Sequence, residues 1–453
     1  MSTLLLKNIY CLMHDPDEES SYGVDLLIEN NIVKKIGKDI KEGADRVLDC
    51  SSCAVVPGFV NTHHHFYQTL TRNIPAVQDA KLFNWLIYLY EIWKNLDSDA
   101  VYYSSLLAMA ELAKTGCTCT TDHHYVYPRG FSGDAMALQF EAADTIGMRF
   151  SPTRGSMSLS KKDGGLPPDS VVQSEEEIIE DSIRCIEKFH DSSPESMHKI
   201  VLAPCSPFSV TKRLMKESAR VARKYGVRLH THLCETMDEE DTCLKMYGLR
   251  PLDLMRECEF IGPDVFYAHG IYFSDSELEV LKNEGAHIAH CPSSNMRLGS
   301  GICRVHDMLS MGINVGLGDD GSASNDSSDM LAELRQALLL QRVKYGSDSL
   351  SARDVFKMAS ENGAKMLNFE KVGKLKEGWK ADIACFDISG LEYAGSKTDP
   401  IASLIFCGTK HESKYTIING KVVVDDGHLV GFDEALLTKK ANEASNRMIN
   451  KAK

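Results

Sequence analysis

Three consecutive histidines, His63-His64-His65, follow the apolar run Ala54-Val55-Val56-Pro57-Gly58-Phe59-Val60-Asn61-Thr62. Alternate side chains of an extended segment share a face, so His63 and His65 point one way and His64 the other. Two imidazoles side by side at a strand end make half of a divalent-metal site. Three other segments offer the complement: His230-Thr231-His232 followed by Glu235, His269-Gly270, and Asp319-Asp320. Three histidines and an aspartate form a mixed nitrogen and oxygen donor set that suits zinc or ferrous iron. His232 is nearer the strand exit than His230 and is the expected ligand, with His230 a packed neighbour. Asp320 is the expected metal-proximal carboxylate. His123 and His124, after Asp122, are expected to shape the site or pack behind it. A lone histidine is usually a satisfied core residue; the repetition at four strand ends carries the metal reading.

Something must bring these four segments together. Strand patterns recur at 53–60, 117–122, 148–154, 199–204, 227–232, 265–269, 286–290 and 313–317, and helices such as 98–114, 212–225, 275–284 and 328–345 lie between or after them. Eight strand–helix units predict an α/β fold with a closed parallel (β/α)8 barrel, whose chemistry sits at the C-terminal strand ends. All the candidate residues fall there. The flanks read differently, as short strands with tight turns at Glu29-Asn30-Asn31 and Asn419-Gly420. The expected organisation is a catalytic barrel over 58–370 and a small composite β-sandwich made of 1–57 and 371–453.

Composition narrows the function. The 453 residues are 43% hydrophobic and 25% charged, as in an ordinary globular chain, with a net charge of −14. That charge disfavours a nucleic-acid partner, and no basic run of the nucleic-acid or membrane type occurs. No apolar run approaches the ~20 residues of a membrane span, and the N-terminus lacks a signal-peptide pattern. Fourteen scattered cysteines read as buried thiols, and the expected location is the cytoplasm. Gly316-Leu317-Gly318-Asp319-Asp320-Gly321 matches a dinucleotide-binding fingerprint, yet two carboxylates in the cradle would repel a pyrophosphate. No Walker-type loop and no GxSxG elbow is present.

Taken together, Pro57-Gly58 before His63-x-His65, His232-x-x-Glu235, His269-Gly270, His290-Cys291-Pro292-x-x-Asn295, Asp320 and the C-terminal Gly373-Lys374-Leu375-x-x-Gly378-x-x-Ala381-Asp382 resemble the amidohydrolase superfamily, in its cytosine-deaminase-like branch. The resemblance runs through nearly the whole chain. It implies one divalent metal, zinc or else iron, held by His63, His65, His232 and Asp320. The fourth strand end, Ala203-Pro204-Cys205-Ser206-Pro207, offers no lysine or glutamate to bridge a second metal. It further implies an aminohydrolase reaction, in which water displaces ammonia from a cyclic amidine. His269 would orient or deprotonate the water, Asp320 would carry its proton to the leaving amine, and Glu235 would protonate the adjacent ring nitrogen.

A finer likeness lies in Asn61 to Arg72, Pro75-Ala76-x-Gln78-Asp79, Leu82-Phe83-x-Trp85-Leu86 and Thr153-Arg154-Gly155-Ser156-Met157. These segments are similar to those of bacterial deaminases of an oxidised purine. The implied reaction is 8-oxoguanine to uric acid and ammonia. Hydrolysis of a hydroxyatrazine-type triazine, and deamination of guanine, isoxanthopterin or an adenosine derivative, are the alternatives. Gln78 and Arg154 are the candidates for the heterocycle's polar edges, and Trp85 for its face, against plain roles in a loop hydrogen bond, a structural position at a strand end and core packing. A small heterocycle is the expected partner, and the resemblance implies a homo-oligomer. A barrel kept only as an assembly protein would have lost ligands; here all are present.

Overall fold

The computed structural model describes residues 2–453. Its centre is a ring of parallel strands: Phe59–Asn61, Cys117–Thr120 continued by His123–His124, Arg149–Phe150 continued by Thr153–Ser156, Val201–Pro204, Arg228–Leu233, Val265–His269, His287–His290 and Val315–Leu317. Every neighbouring pair in these ladders is parallel. The ring closes where the backbone N–H and hydroxyl of Thr62 both donate to the Leu317 carbonyl, each at 3.0 Å. The expected barrel is therefore present, with helices outside it.

The helices form where the sequence supplies caps. Asp97 accepts from the Ala100 N–H at the start of Ser98–Lys114, and Thr211 caps Lys212–Tyr225, which ends at the left-handed Gly226. Ser274 and Glu277 cap Asp275–Glu284 reciprocally.

The two ends of the chain share one nine-stranded sheet, ordered 428–429, 421–425, 415–418, 383–387, 53–57, 3–12, 21–29 and 32–37, with 46–49 paired to 3–12. The expected strand 53–60 is divided at Gly58. Cys53–Pro57 pairs antiparallel with Ile383–Asp387 in this sheet, and Phe59–Asn61 enters the barrel. A Cβ at Gly58 would stand 2.2 Å from Thr118 Cγ2, so only glycine passes between the two layers here. A buried Arg149–Asp382 pair at 2.9 Å ties the layers together. The expected division at 371 places helix Glu434–Lys451 with the terminal sheet. That helix instead packs on the barrel helices Ser98–Lys114 and Leu82–Trp93, with Ser445 bonded to the Leu70 carbonyl. Its apolar stripe of Leu437, Ala441, Ala444 and Met448 is buried there.

Thirteen of the fourteen cysteines are buried, and all are free thiols. Among the described residues, no helix is long and apolar enough to cross a membrane.

Candidate active site

The first barrel strand ends at Asn61, and the next four residues place the histidines. His64 turns outward, its Nε2 2.9 Å from the Ser328 hydroxyl. His63 and His65 turn inward, their rings 4.7 Å apart. Hydrogen bonds fix the protons on the inward rings. A carbonyl only accepts, so His65 Nδ1, 2.8 Å from the His123 carbonyl, and His232 Nδ1, 2.6 Å from the Cys205 carbonyl, both carry hydrogen. His230 Nδ1 likewise donates to the Phe266 carbonyl at 2.8 Å. Its Nε2 is then free to accept from His63 Nδ1, also at 2.8 Å. The residue expected merely to pack thus orients His63, as outer partners of metal-binding imidazoles do.

The Nε2 atoms of His63, His65 and His232 are consequently bare and convergent. His65 Nε2 and His232 Nε2 are 3.1 Å apart, and Asp320 Oδ1 lies 3.3 Å from His65 Nε2 and 3.5 Å from His63 Nε2. Burial lowers His65 to a pKa of about 3 and His232 well below its usual range, so neither ring holds a second proton at neutral pH. Two bare lone pairs at 3.1 Å repel unless a cation lies between them. Donor atoms around a tetrahedral zinc with bonds of about 2.0–2.1 Å are about 3.3 Å apart. The donor set and its spacing fit a divalent metal. His63 Nε2, buried without a hydrogen-bond partner, fits the same reading.

Asp320 reaches this position from a left-handed backbone (φ 65°), with its N–H bonded to the His63 carbonyl at 2.9 Å. Asp319 faces away, toward Asn325 and His64. His123 lies within the histidine cluster, closer than expected. Its ring stacks on His232 at 4.7 Å, and its Nε2 is committed to the Ala203 carbonyl.

Glu235 and His269 face the cluster from the neighbouring strand ends. Glu235 is buried, accepts from the Ser300 hydroxyl at 3.1 Å, and lies 3.5 Å from His269 Nε2. Burial, reinforced by the charges of Asp320 and Glu239, pushes its carboxyl well above the ordinary range. Glu239 accepts the N–H groups of Cys234 and Glu235, each at 2.9 Å, and so holds the turn that presents Glu235. The Asn295 amide donates to His269 Nδ1 at 2.9 Å, which leaves the His269 proton on Nε2, directed at the site.

A narrow slot lies over these groups, lined by Gln68, Leu82, Trp85, Leu86, Tyr90, Tyr125, Phe208 and Leu298 besides the cluster. A wider cleft of about 770 Å³ along 127–184 contains none of the histidines. Of the expected substrate contacts, Trp85 lines the slot, edge-on to Trp93 at 5.4 Å. Gln78 does not: its amide donates to Asn73 and its backbone carbonyl accepts from Arg297. Arg154 does not either. It pairs in register with His124, on the face opposite to the inward His123, so the strand's alternation sends it outward. There its guanidinium pairs with Asp181 and stacks on Tyr127 at 4.0 Å. Strand parity alone excludes it.

Gln68 takes the place expected of Gln78. It lies in the short turn Phe66–Thr71 directly after His65, and its Oε1 is buried without a partner. Gly321 leaves the space for it, since a Cβ there would stand 2.0 Å from that oxygen.

Burial of so many titratable groups predicts how stability varies with pH. Histidines held below their ordinary value, such as His65, His269 and His290 at about 3, bind protons only when the chain unfolds. They make stability rise with pH up to about 6.5. Asp122 and Glu239, raised to about 7, and Glu333, raised to about 8, hold protons in the fold that the unfolded chain has released. Their contribution is complete below pH ~4 and is lost as pH rises through 7 to 8. The metal-free protein should therefore show a maximal urea midpoint near pH ~6–6.5. A midpoint climbing steadily to pH 8 would contradict this.

The fold and site define a hydrolase barrel, and the sequence matches the amidohydrolase family over residues 54–423; the chain belongs to that family. It is 44% identical over 402 residues to 8-oxoguanine deaminase of Pseudomonas aeruginosa, covering 89% of each chain. It is 35% identical to hydroxydechloroatrazine ethylaminohydrolase of Pseudomonas sp. strain ADP, covering 94% of this chain and 92% of that one. A solved atrazine chlorohydrolase of Arthrobacter aurescens TC1, complexed with zinc, superposes with a TM-score of 0.93 at 28% identity, covering 98% of this chain and all of that one (100%). The protein is an amidohydrolase-type hydrolase of C–N bonds.

Proposed function

We propose that the chain converts 8-oxoguanine and water to uric acid and ammonia, with one divalent metal, zinc or iron, held by His63, His65, His232 and Asp320. The observation that carries the reading is a buried carboxyl, Glu235, facing bare imidazole nitrogens across a slot walled by flat apolar side chains. The metal, when bound, acidifies water and so supplies a hydroxide nucleophile near neutral pH. Glu235 donates its proton to the ring nitrogen beside the amidine carbon, which makes that carbon electrophilic. Asp320 accepts the water's proton and returns it to the departing amine. His269 Nε2–H orients the attacking oxygen, and Gln68 Oε1 accepts a ring N–H. Trp85 and Leu86 cover the ring face.

The 44% identity to an 8-oxoguanine deaminase favours this substrate. Likeness to atrazine-degrading enzymes supports hydrolysis of a substituted triazine as a second reading. Incubating metal-replete protein with 8-oxoguanine, guanine, isoxanthopterin and hydroxyatrazine separates the two. The expected result is stoichiometric ammonia and uric acid, with 8-oxoguanine turned over fastest. Alkylamine release from the triazine alone, or faster turnover of guanine, would replace the proposal.

A further inference from the structure

Helix Leu82–Trp93 forms one wall of the slot, and its Tyr90 carries a hydroxyl that is buried and has no hydrogen-bond partner. Tyr67, behind it, has a second such hydroxyl, and the Tyr125 hydroxyl stands beside both. Tyr125 abuts the metal cluster, its ring 5.1 Å from that of His65 and 6.0 Å from that of His232. Tyr90 packs instead on Trp93, at 5.7 Å, on the wall that Trp85 and Leu86 continue. Buried hydroxyls are nearly always hydrogen-bonded, because leaving one dry and unpaired is unfavourable. The neighbouring walls, Leu82, Leu86 and Phe208, offer no side-chain acceptor, and the slot's acceptors, Gln68 among them, make no hydrogen bond to the Tyr90 hydroxyl. A phenol keeps its proton at neutral pH, so the Tyr90 and Tyr125 hydroxyls can both donate.

A donor left without an acceptor, the Tyr90 hydroxyl, in a slot walled by flat side chains, calls for an oxygen on the ligand. A bicyclic base whose amidine carbon meets His65, His232 and Asp320 turns its other ring away from them. In 8-oxoguanine that ring ends in a carbonyl; in guanine it ends in C–H. We propose that the hydroxyls of Tyr90 and Tyr125 bind the oxo group at the end of the heterocycle opposite the reacting carbon, and thereby select oxo-bearing bases over their unoxidised counterparts. This rests on the deaminase reading above. It assigns Tyr90 a specificity role rather than a catalytic one.

Tyr90→Phe removes one oxygen and no hydrogen bond of the free protein. The test compares kcat and KM of wild type and Tyr90→Phe on 8-oxoguanine and on guanine, with melting temperatures of both proteins. Loss of one well-placed hydrogen bond is expected to lower kcat/KM for 8-oxoguanine about 10- to 30-fold, mainly through KM. Guanine turnover should change less than about two-fold, because guanine offers that hydroxyl no oxygen. The melting temperature should be unchanged or higher, since the hydroxyl has no partner to lose. An unaltered ratio between the two substrates overturns the inference alone. So does a melting temperature lowered by several degrees, which would reveal a structural partner. Metal-replete wild type that deaminates neither base overturns the functional reading, and this inference with it.

Discussion

Replacing His232 with alanine is expected to abolish stoichiometric metal binding and to lower kcat/KM by at least ~10⁴-fold. His232 Nε2 is one of three bare nitrogens that converge beside Asp320 Oδ1, and its Nδ1 is anchored on the Cys205 carbonyl. Alanine would remove a ligand without disturbing the strand, whose ladder to Val265–His269 is backbone-made. Metal analysis after dialysis, run with far-ultraviolet circular dichroism, checks both halves of the statement. A variant that keeps one tightly held metal per chain and near-normal rates would remove His232 from the ligand set. His123 would then need to be reconsidered, because its ring lies within the same cluster.

Glu235→Gln carries the second large effect. Glutamine keeps the size of the side chain and an oxygen for the Ser300 hydroxyl, which lies 3.1 Å from Glu235 Oε1. It loses only the transferable proton. Metal content should be unchanged and kcat should fall by about 10²–10⁴, the usual range for general acid–base catalysis. KM should move little, since the proton matters most as the C–N bond reorganises. In the wild type, kcat should fall at high pH as the buried carboxyl finally ionises, because its pKa is raised. The variant should lack that limb. Wild-type turnover by the Glu235→Gln variant would show that the ring nitrogen takes its proton from another group.

Some of this is readable in the chain. Each inward side chain is stationed at a strand exit, and strand exits follow from local patterning: an apolar run, a turn, a capped helix. His63, His65, His232, His269 and Asp320 emerge that way, and Glu235 by its distance from His232. Gly58 marks the passage into the barrel, although its division of one apolar run between two sheets is not visible locally, because both halves are equally buried. Arg154 is misplaced by the motif reading for an avoidable reason. Its neighbour Thr153 shares register with the inward His123, and alternation puts Arg154 on the other face. Local reading prefers Gln78 to Gln68 because the path of the loop after His65 depends on contacts with Gly321, far along the chain.

Which residue types stand at the strand ends is written in the chain, since that needs only the two-residue period of a strand and the residues that stop it. What those residues are chemically comes from packing. The protons of His63, His65 and His232 are set by His230 and by the carbonyls of His123 and Cys205, across separations of 167, 58 and 27 residues. The Glu235 carboxyl is pushed above its ordinary range by burial, beside Asp320 and under the Ser300 hydroxyl. Hydrogen-bond direction and desolvation arise only when distant segments are packed against one another, so no local reading of the chain contains them.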